Sequence, residues 1–330
     1  MRAPAFWAAE RGGPAACALT PLSWLYRLGA QARAALARPA EAGVPVICVG
    51  NFTAGGAGKT PAVIALARLL AADGLHPHVL TRGYGGSEAG PLWVDPARHD
   101  ARAVGDEALL LARAAPTWLS RDRAAGAKAA AAAGATVLLM DDGMQTPTLA
   151  KDLCLAVIDG GAGFGNGCVL PAGPLREPLA RGLRRAHALV LVGADRRGAL
   201  KALGAHDLPV IEADLVPGEE VRTLRERPVV AFAGIGRPEK FFETLQEAGC
   251  AVVARHAFAD HHRYKPDEIA AIAAQAKERD AQPVTTEKDH VRLPPDARAM
   301  VLTLPVTLAW RDPAAVRAVL APLLARCRHG

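Results

Sequence analysis

A short apolar run at residues 44–49 leads into Gly50-Asn51-Phe52-Thr53-Ala54-Gly55-Gly56-Ala57-Gly58-Lys59-Thr60, which passes directly into a helix-forming stretch at residues 62–72. Strand, small-residue loop, Gly-Lys-Thr and helix start, in that order, leave few folds open to the chain. Small side chains let successive backbone N–H groups turn around the oxygens of an anion. A lysine at the helix start reaches the outer phosphates of a nucleotide, and the next hydroxyl can ligate Mg²⁺. Thr53, Ala54, Gly55, Gly56, Ala57, Gly58, Lys59 and Thr60 are therefore the candidate nucleotide contacts, with Lys59 also a candidate for catalysis and Thr60 for metal. The strict spacing places a glycine where Thr53 stands, and the Gly55-Gly56 pair supplies small residues instead. The plain alternative is a glycine-rich turn that caps a helix.

The runs at residues 44–49, 78–81, 136–140, 153–158, 188–192 and 209–213 are short and β-rich, and Ala/Leu-rich stretches separate them. That rhythm predicts βαβ units and a parallel sheet. A second series starts at Pro228, with strands expected at residues 229–233, 250–254, 283–285 and 300–303 and helices at 238–248 and 266–279. The fold class expected is α/β: a P-loop-type parallel-sheet domain over residues 1–214, a charged linker at 215–227, and a smaller α/β domain over 228–330 that closes over the site.

Composition narrows the partners. The formal charge of +6 is spread along the chain, which suits an acidic ligand or an anionic surface and carries no nucleic-acid motif. The six cysteines show neither a Cys-x-x-Cys pair nor regular spacing, as in a reducing compartment. No run of about eighteen strongly apolar residues is present, and the start of the chain lacks the pattern of a secretory signal. No obligatory protein partner is indicated.

A second chemical signal lies at Asp141-Asp142-Gly143-Met144-Gln145, after the apolar run Val137-Leu138-Leu139-Met140. It puts two carboxylates at the C-terminal edge of the predicted sheet, where ligands of open α/β folds bind. Asp141 and Asp142 are the candidate Mg²⁺ ligands, with capping of the following turn as the structural alternative.

Taken together, the motifs resemble the tetraacyldisaccharide 4'-kinase family of lipid A biosynthesis. They are Gly55-Gly56-Ala57-Gly58-Lys59-Thr60-Pro61, Thr81-Arg82-Gly83-Tyr84-Gly85-Gly86, Val104-Gly105-Asp106-Glu107-Ala108, the Asp141 run, Leu170-Pro171-Ala172-Gly173-Pro174-Leu175-Arg176-Glu177-Pro178, Phe258-Ala259-Asp260-His261-His262-Arg263-Tyr264 and Thr285-Thr286-Glu287-Lys288-Asp289. Met144 stands where the family commonly has Phe or Leu. The resemblance implies ATP and Mg²⁺ as cofactors and a lipid disaccharide 1-phosphate as substrate, at the cytoplasmic face of the inner membrane. It also implies two α/β domains with the site between them, Asp106 as base and His261 as its orienting partner.

Read from the residues, Asp106 also suits a helix N-cap, and His261 suits a loop histidine or a metal cluster with His256, Asp260 and His262. Arg123 is a candidate for the transferring phosphate, with Arg121 close by; Gln145, Arg176, Glu177 and Tyr84 are candidates for organising substrate. Without the resemblance, a soluble small-metabolite kinase or ligase, or a nucleotide-switched binding module, could carry the same loop. A GTPase is disfavoured, since Lys288 and Asp289 are adjacent rather than spaced as guanine recognition needs.

Residues 20–38 predict an amphipathic helix capped by Thr20, with Pro21 at its first position and Pro39 beyond its end. Leu22, Leu25, Leu28, Ala32 and Leu36 share one face, with Trp24, Tyr26, Arg27, Arg33 and Arg38 nearby. Peripheral membrane contact and packing onto the protein's own core are both compatible with that pattern.

Overall fold

The computed structural model describes residues 4–9 and 12–327, so the outermost positions of the two expected domains, 1–3 and 328–330, lie outside the described residues. The strands are β1 (Val46–Asn51), β2 (Pro77–Thr81), β3 (Leu92–Trp93), β4 (Thr117–Leu119), β5 (Val137–Asp141), β6 (Leu153–Asp159), β7 (Ala188–Val192), β8 (Val210–Pro217), β9 (Pro228–Ala233), β10 (Ala251–Ala257), β11 (Gln282–Thr286), β12 (Leu302–Leu304) and β13 (Val306–Trp310).

Two sheets result, one of nine strands in the order β13-β8-β7-β6-β1-β5-β2-β4-β3 and one of four in the order β10-β9-β11-β12. The small sheet is parallel throughout, and in the large one β3 and β13 run antiparallel at the two edges. Side chains alternate across the central strands: Ile47, Val49, Val137 and Leu139 enter one core, and Val46, Cys48, Leu138 and Met140 the other. Both faces of the sheet are thereby covered, which is why these strands read as continuous apolar runs. Val49 lies opposite Asp141 and Asn51 opposite Val157, so β1, β5 and β6 end together and deliver the phosphate loop, the paired carboxylates and Asp159 to one edge.

Two expectations about the domains need correction. The second domain does not run to the end of the chain, because β13 returns to pair with β8 and the helix Pro313–Cys327 buries Val316, Leu320 and Leu323 in the large core. The linker is likewise not free: β8 continues to Pro217, and Leu224, at the end of the 3-10 turn Glu219–Leu224, is buried in the small core. The polypeptide thus crosses between the sheets at Gly218 and again at Pro305, and the Gly218 N–H donates to the Pro305 carbonyl (2.8 Å).

The N-terminal helix runs from Pro14 to Leu36, with Gly13 as cap. Pro14 takes the first position that had been expected for Pro21, and Pro21 sits inside the helix. Thr20 donates its hydroxyl to the Ala16 carbonyl (2.9 Å) instead of capping. A narrow seam holds the helix to the body: Ser23 donates to the Val169 carbonyl (2.8 Å) and accepts from the Ala172 N–H (3.3 Å). The leucine face does not pack on the core. Leu22, Trp24, Leu25, Leu28 and Leu36 are 51, 59, 65, 61 and 84% exposed.

Candidate active site

The loop between β1 and the helix Lys59–Ala72 turns through positive φ at Gly55 (109°) and Gly58 (85°), conformations that residues with a Cβ rarely adopt. A Cβ added at Gly55 or Gly56 would meet nothing within 4 Å, so the mouth of the loop is open. Thr53 and Ala54 form its wall rather than its cradle. The Ala54 N–H donates to the Pro174 carbonyl (2.7 Å), which leaves that amide unavailable to an anion, and Thr53 beside it is bridged to Leu175. Lys59 Nζ lies 3.8 Å from Asp142, and Arg176 grips the same carboxylate with both terminal nitrogens (2.8 and 3.0 Å) while its Nε donates to the Thr53 carbonyl (3.1 Å). Burial pushes Asp142 up, but Lys59 and Arg176 outweigh it and hold the group below its ordinary value. Gln145 joins this network, donating to the Asn51 carbonyl and to Glu177 (both 3.0 Å); Glu177 also pairs with Arg185 and, at 3.9 Å, Arg181.

Asp141 differs from its neighbour. It is buried, and its Oδ1 has no hydrogen-bond partner. Burial, then the negative charges of Glu107 and Asp142, raise it to about 7. A buried carboxylate with an unused oxygen beside two further carboxylates and an open phosphate loop is a donor set that a divalent cation bound to phosphate oxygens would satisfy. Arg123, expected to touch the transferring phosphate, lies behind this strand end. It is 4% exposed and donates to the Asp141 carbonyl (3.2 Å), so it supports the carboxylates from within. Arg121 turns outward to the Gly86 and Ser87 carbonyls.

Opposite the loop, groups of the small domain meet a second set from the large one. Asp106 begins the helix Asp106–Ala114 and is buried. Gly105, at φ 85°, brings its backbone so near the preceding motif that a Cβ would lie 2.4 Å from the Tyr84 carbonyl oxygen. That close approach sets the Tyr84 ring 5.3 Å from the His261 ring. His261 Nδ1 donates to Asp106 Oδ2 at 3.1 Å, joining residues far apart in the chain. Burial pushes Asp106 up, but this hydrogen bond and the charges of Lys288, His261 and Arg292 prevail and keep the carboxyl below its ordinary value. Lys288 reaches Glu107 (3.0 Å), Arg292 Nε lies 3.5 Å from Asp106, and Arg237 and Lys240 reach Asp159 (2.8 and 3.8 Å). His256 instead pairs with Gln275 and His262 with Glu268, so the histidines of the 256–262 segment point to separate partners.

The sequence pattern of one family, described as Tetraacyldisaccharide-1-P 4'-kinase, matches residues 15–325. The chain belongs to this family. A tetraacyldisaccharide 4'-kinase of Rhodospirillum centenum is 54% identical over 98% of this chain and 97% of its own length. That of Gluconacetobacter diazotrophicus is 56% identical over 96% of each. A crystal structure of an LpxK from Aquifex aeolicus in complex with ATP superposes with a TM-score of 0.73 at 27% identity, covering 93% of this chain and 99% of that one.

Of the residues expected in this 4'-kinase site, Lys59, Asp142, Gln145, Arg176 and Glu177 form one network under the loop, and Asp106, His261 and Tyr84 form another across the cleft. Glu107 links them, since its charge is felt at Asp141 and its carboxylate holds Lys288. Glu107, Arg292, Asp159 and Arg237 were not singled out from the sequence. Glu107 lies inside an assigned motif and Asp159 directly follows the run expected as a strand at 153–158, which is the signal available; for Arg292 the adjoining Thr285–Asp289 motif was the only pointer.

Proposed function

We propose that the chain is an ATP-dependent kinase that transfers the γ-phosphoryl group to the 4'-hydroxyl of a tetraacylated glucosamine disaccharide 1-phosphate, working on the cytoplasmic surface of the inner membrane. The observation that carries this reading is the Asp106–His261 pair, formed between two domains at the edge where the phosphate loop opens. Asp106 accepts the proton of the attacking hydroxyl as the new O–P bond forms and the bond to the leaving ADP breaks. With Asp106 ionised and able only to accept, His261 Nδ1 carries the proton of their shared hydrogen bond and holds the carboxylate in aim. Lys59 and the loop amides balance charge on the phosphate oxygens. Asp141, with Asp142 and Thr60 beside it, would hold Mg²⁺, which would supply charge neutralisation on the nucleotide. Because His261 comes from the small domain while Asp106 and the phosphate loop belong to the large one, the set is complete only with the cleft closed, which disfavours transfer to water.

The test is direct. Purified chain, ATP, Mg²⁺ and the disaccharide 1-phosphate in detergent yield a lipid one phosphate heavier by mass spectrometry. Absence of that product from protein that still binds ATP rejects the substrate.

The exposed leucine face of the helix Pro14–Leu36, flanked by Arg27, Arg33 and Arg38, supports docking in the headgroup region. Changing Leu22, Trp24 and Leu25 to serine or glutamine is expected to lower binding to anionic vesicles by about tenfold or more in flotation, since each apolar side chain buried contributes roughly 1.5–3 kcal/mol. Turnover of a detergent-dispersed substrate stays near wild type, and unchanged flotation sinks the docking role.

A further inference from the structure

The Thr285-Thr286-Glu287-Lys288-Asp289 motif has no task in the reaction described above, yet it sits against the site. Asp289 is fully buried and accepts from the Gly234 N–H (2.9 Å), the Tyr264 hydroxyl (2.7 Å), the Thr286 hydroxyl (2.6 Å) and Arg292 Nη2 (2.7 Å). A carboxylate held by so many donors fixes the guanidinium that it binds. Arg292 is correspondingly constrained and also donates to backbone: Nη2 to the Gly234 carbonyl (3.0 Å) and Nη1 to the His262 carbonyl (3.4 Å). The Gly234 carbonyl also accepts the His261 N–H (3.0 Å), and His261 itself stands at φ 57°, a conformation that needs such support. Its Nε donates to the Lys288 carbonyl (2.9 Å) and lies 3.5 Å from Asp106 Oδ2, close enough for the charge to be felt there.

We infer that Arg292, oriented by Asp289, is a positioning residue for the Asp106–His261 pair, fastening the backbone that carries His261 while setting the charge beside Asp106. The inference rests on the proposed role of that pair. The Arg292 side chain is 6% exposed and acts through both members of the dyad at once. The groups facing Asp106 are His261, Lys288 and Arg292, with Glu107 adjacent on its own helix and Asp260 beyond His261. Arg292 is the one among them that also holds the His261 backbone. Removing its positive charge makes protonation easier at either member of the pair, so the direction of the effect does not depend on which of the two carries the proton.

The test compares wild type with Arg292→Gln and Arg292→Lys. In histidine-labelled protein, with the His261 signal assigned by its loss in His261→Asn, the His261 titration midpoint is expected to move upward by about one pH unit in Arg292→Gln. In parallel, the acid limb of kcat/KM shifts the same way and kcat falls by about tenfold or more, with KM for ATP unchanged. Arg292→Lys keeps the charge but not the planar fork; it retains the wild-type limb and loses kcat. If Arg292→Gln shows no cooperative melting, Arg292→Lys decides, and wild-type kcat there overturns the inference. A folded Arg292→Gln with an unmoved His261 midpoint overturns it as well. Because the titration needs no turnover, a wild type that failed to phosphorylate the lipid would reject the proposed substrate without being mistaken for failure at Arg292.

Discussion

Asp106→Asn lowers kcat by about 10³-fold and leaves ATP affinity within about threefold of wild type, the separation expected when a general base is removed without disturbing the nucleotide loop. The substitution conserves volume at a buried position; its one amide oxygen keeps the bond accepted from the Glu107 N–H, and its NH2 faces His261, whose Nδ1 accepts in the other tautomer. What it removes is the negative charge that takes up the hydroxyl proton. Lys59 and Arg176 pair with Asp142 rather than with Asp106, so the nucleotide half of the site is unaffected. Steady-state kinetics with the lipid, together with equilibrium ATP binding, checks both halves of the statement. Activity within tenfold of wild type would instead identify Asp106 as a cap for its helix. An equal loss of ATP binding would point to collapse of the cleft.

Asp141→Asn is expected to have opposite effects on stability and activity. In the ligand-free protein Asp141 titrates at about 7 against an ordinary value of 3.8, with burial as the main cause. Below about pH 4 both folded and unfolded chains hold the proton, and the group costs nothing. As pH rises, the unfolded chain ionises first, so stability falls across the interval up to about 7, and above it the full penalty applies, on the order of 2–4 kcal/mol. Asparagine cannot ionise, so the variant is more stable than wild type at pH 8 in the presence of EDTA and matches it near pH 4, measured by urea denaturation. Transfer activity drops by about 10²-fold or more, because the oxygen set that organises the cation is broken. A variant no more stable than wild type at pH 8 shows that the Asp141 environment does not disfavour its charge.

The parts of this molecule that a single sequence reveals are those encoded locally. The β1 loop, Lys59 and the paired aspartates depend on contiguous residues, and their periodicity and small-residue pattern were sufficient to place them on one sheet edge. The buried strands were legible for the same reason: with both faces covered, they are uninterrupted apolar runs. By contrast β3 and β4, spanning Leu92–Trp93 and Thr117–Leu119, are too short to show a period. The return of β13 could not be seen, because antiparallel pairing with β8 depends on a partner remote in the chain. Arg123 illustrates a limit of residue chemistry as a guide. A guanidinium suits a phosphate, but packing turned this one inward against the Asp141 carbonyl. Likewise Lys288 and Arg292 meet Glu107 and Asp106 through tertiary structure alone, and no spacing in the sequence announces such contacts.

The paired crossing at Gly218 and Pro305 has a mechanical consequence. Val306 lies opposite Pro217 in the β8–β13 ladder, so the two polypeptide tethers leave the large sheet side by side, hydrogen-bonded to one another. A body hung from two adjacent, antiparallel ribbons swings about a single axis and resists both sliding and free rotation. The approach of His261 to Asp106 is thereby confined to one arc, and the small domain is an insertion whose ends already meet, a lid hinged on a hairpin rather than a second bead on a string.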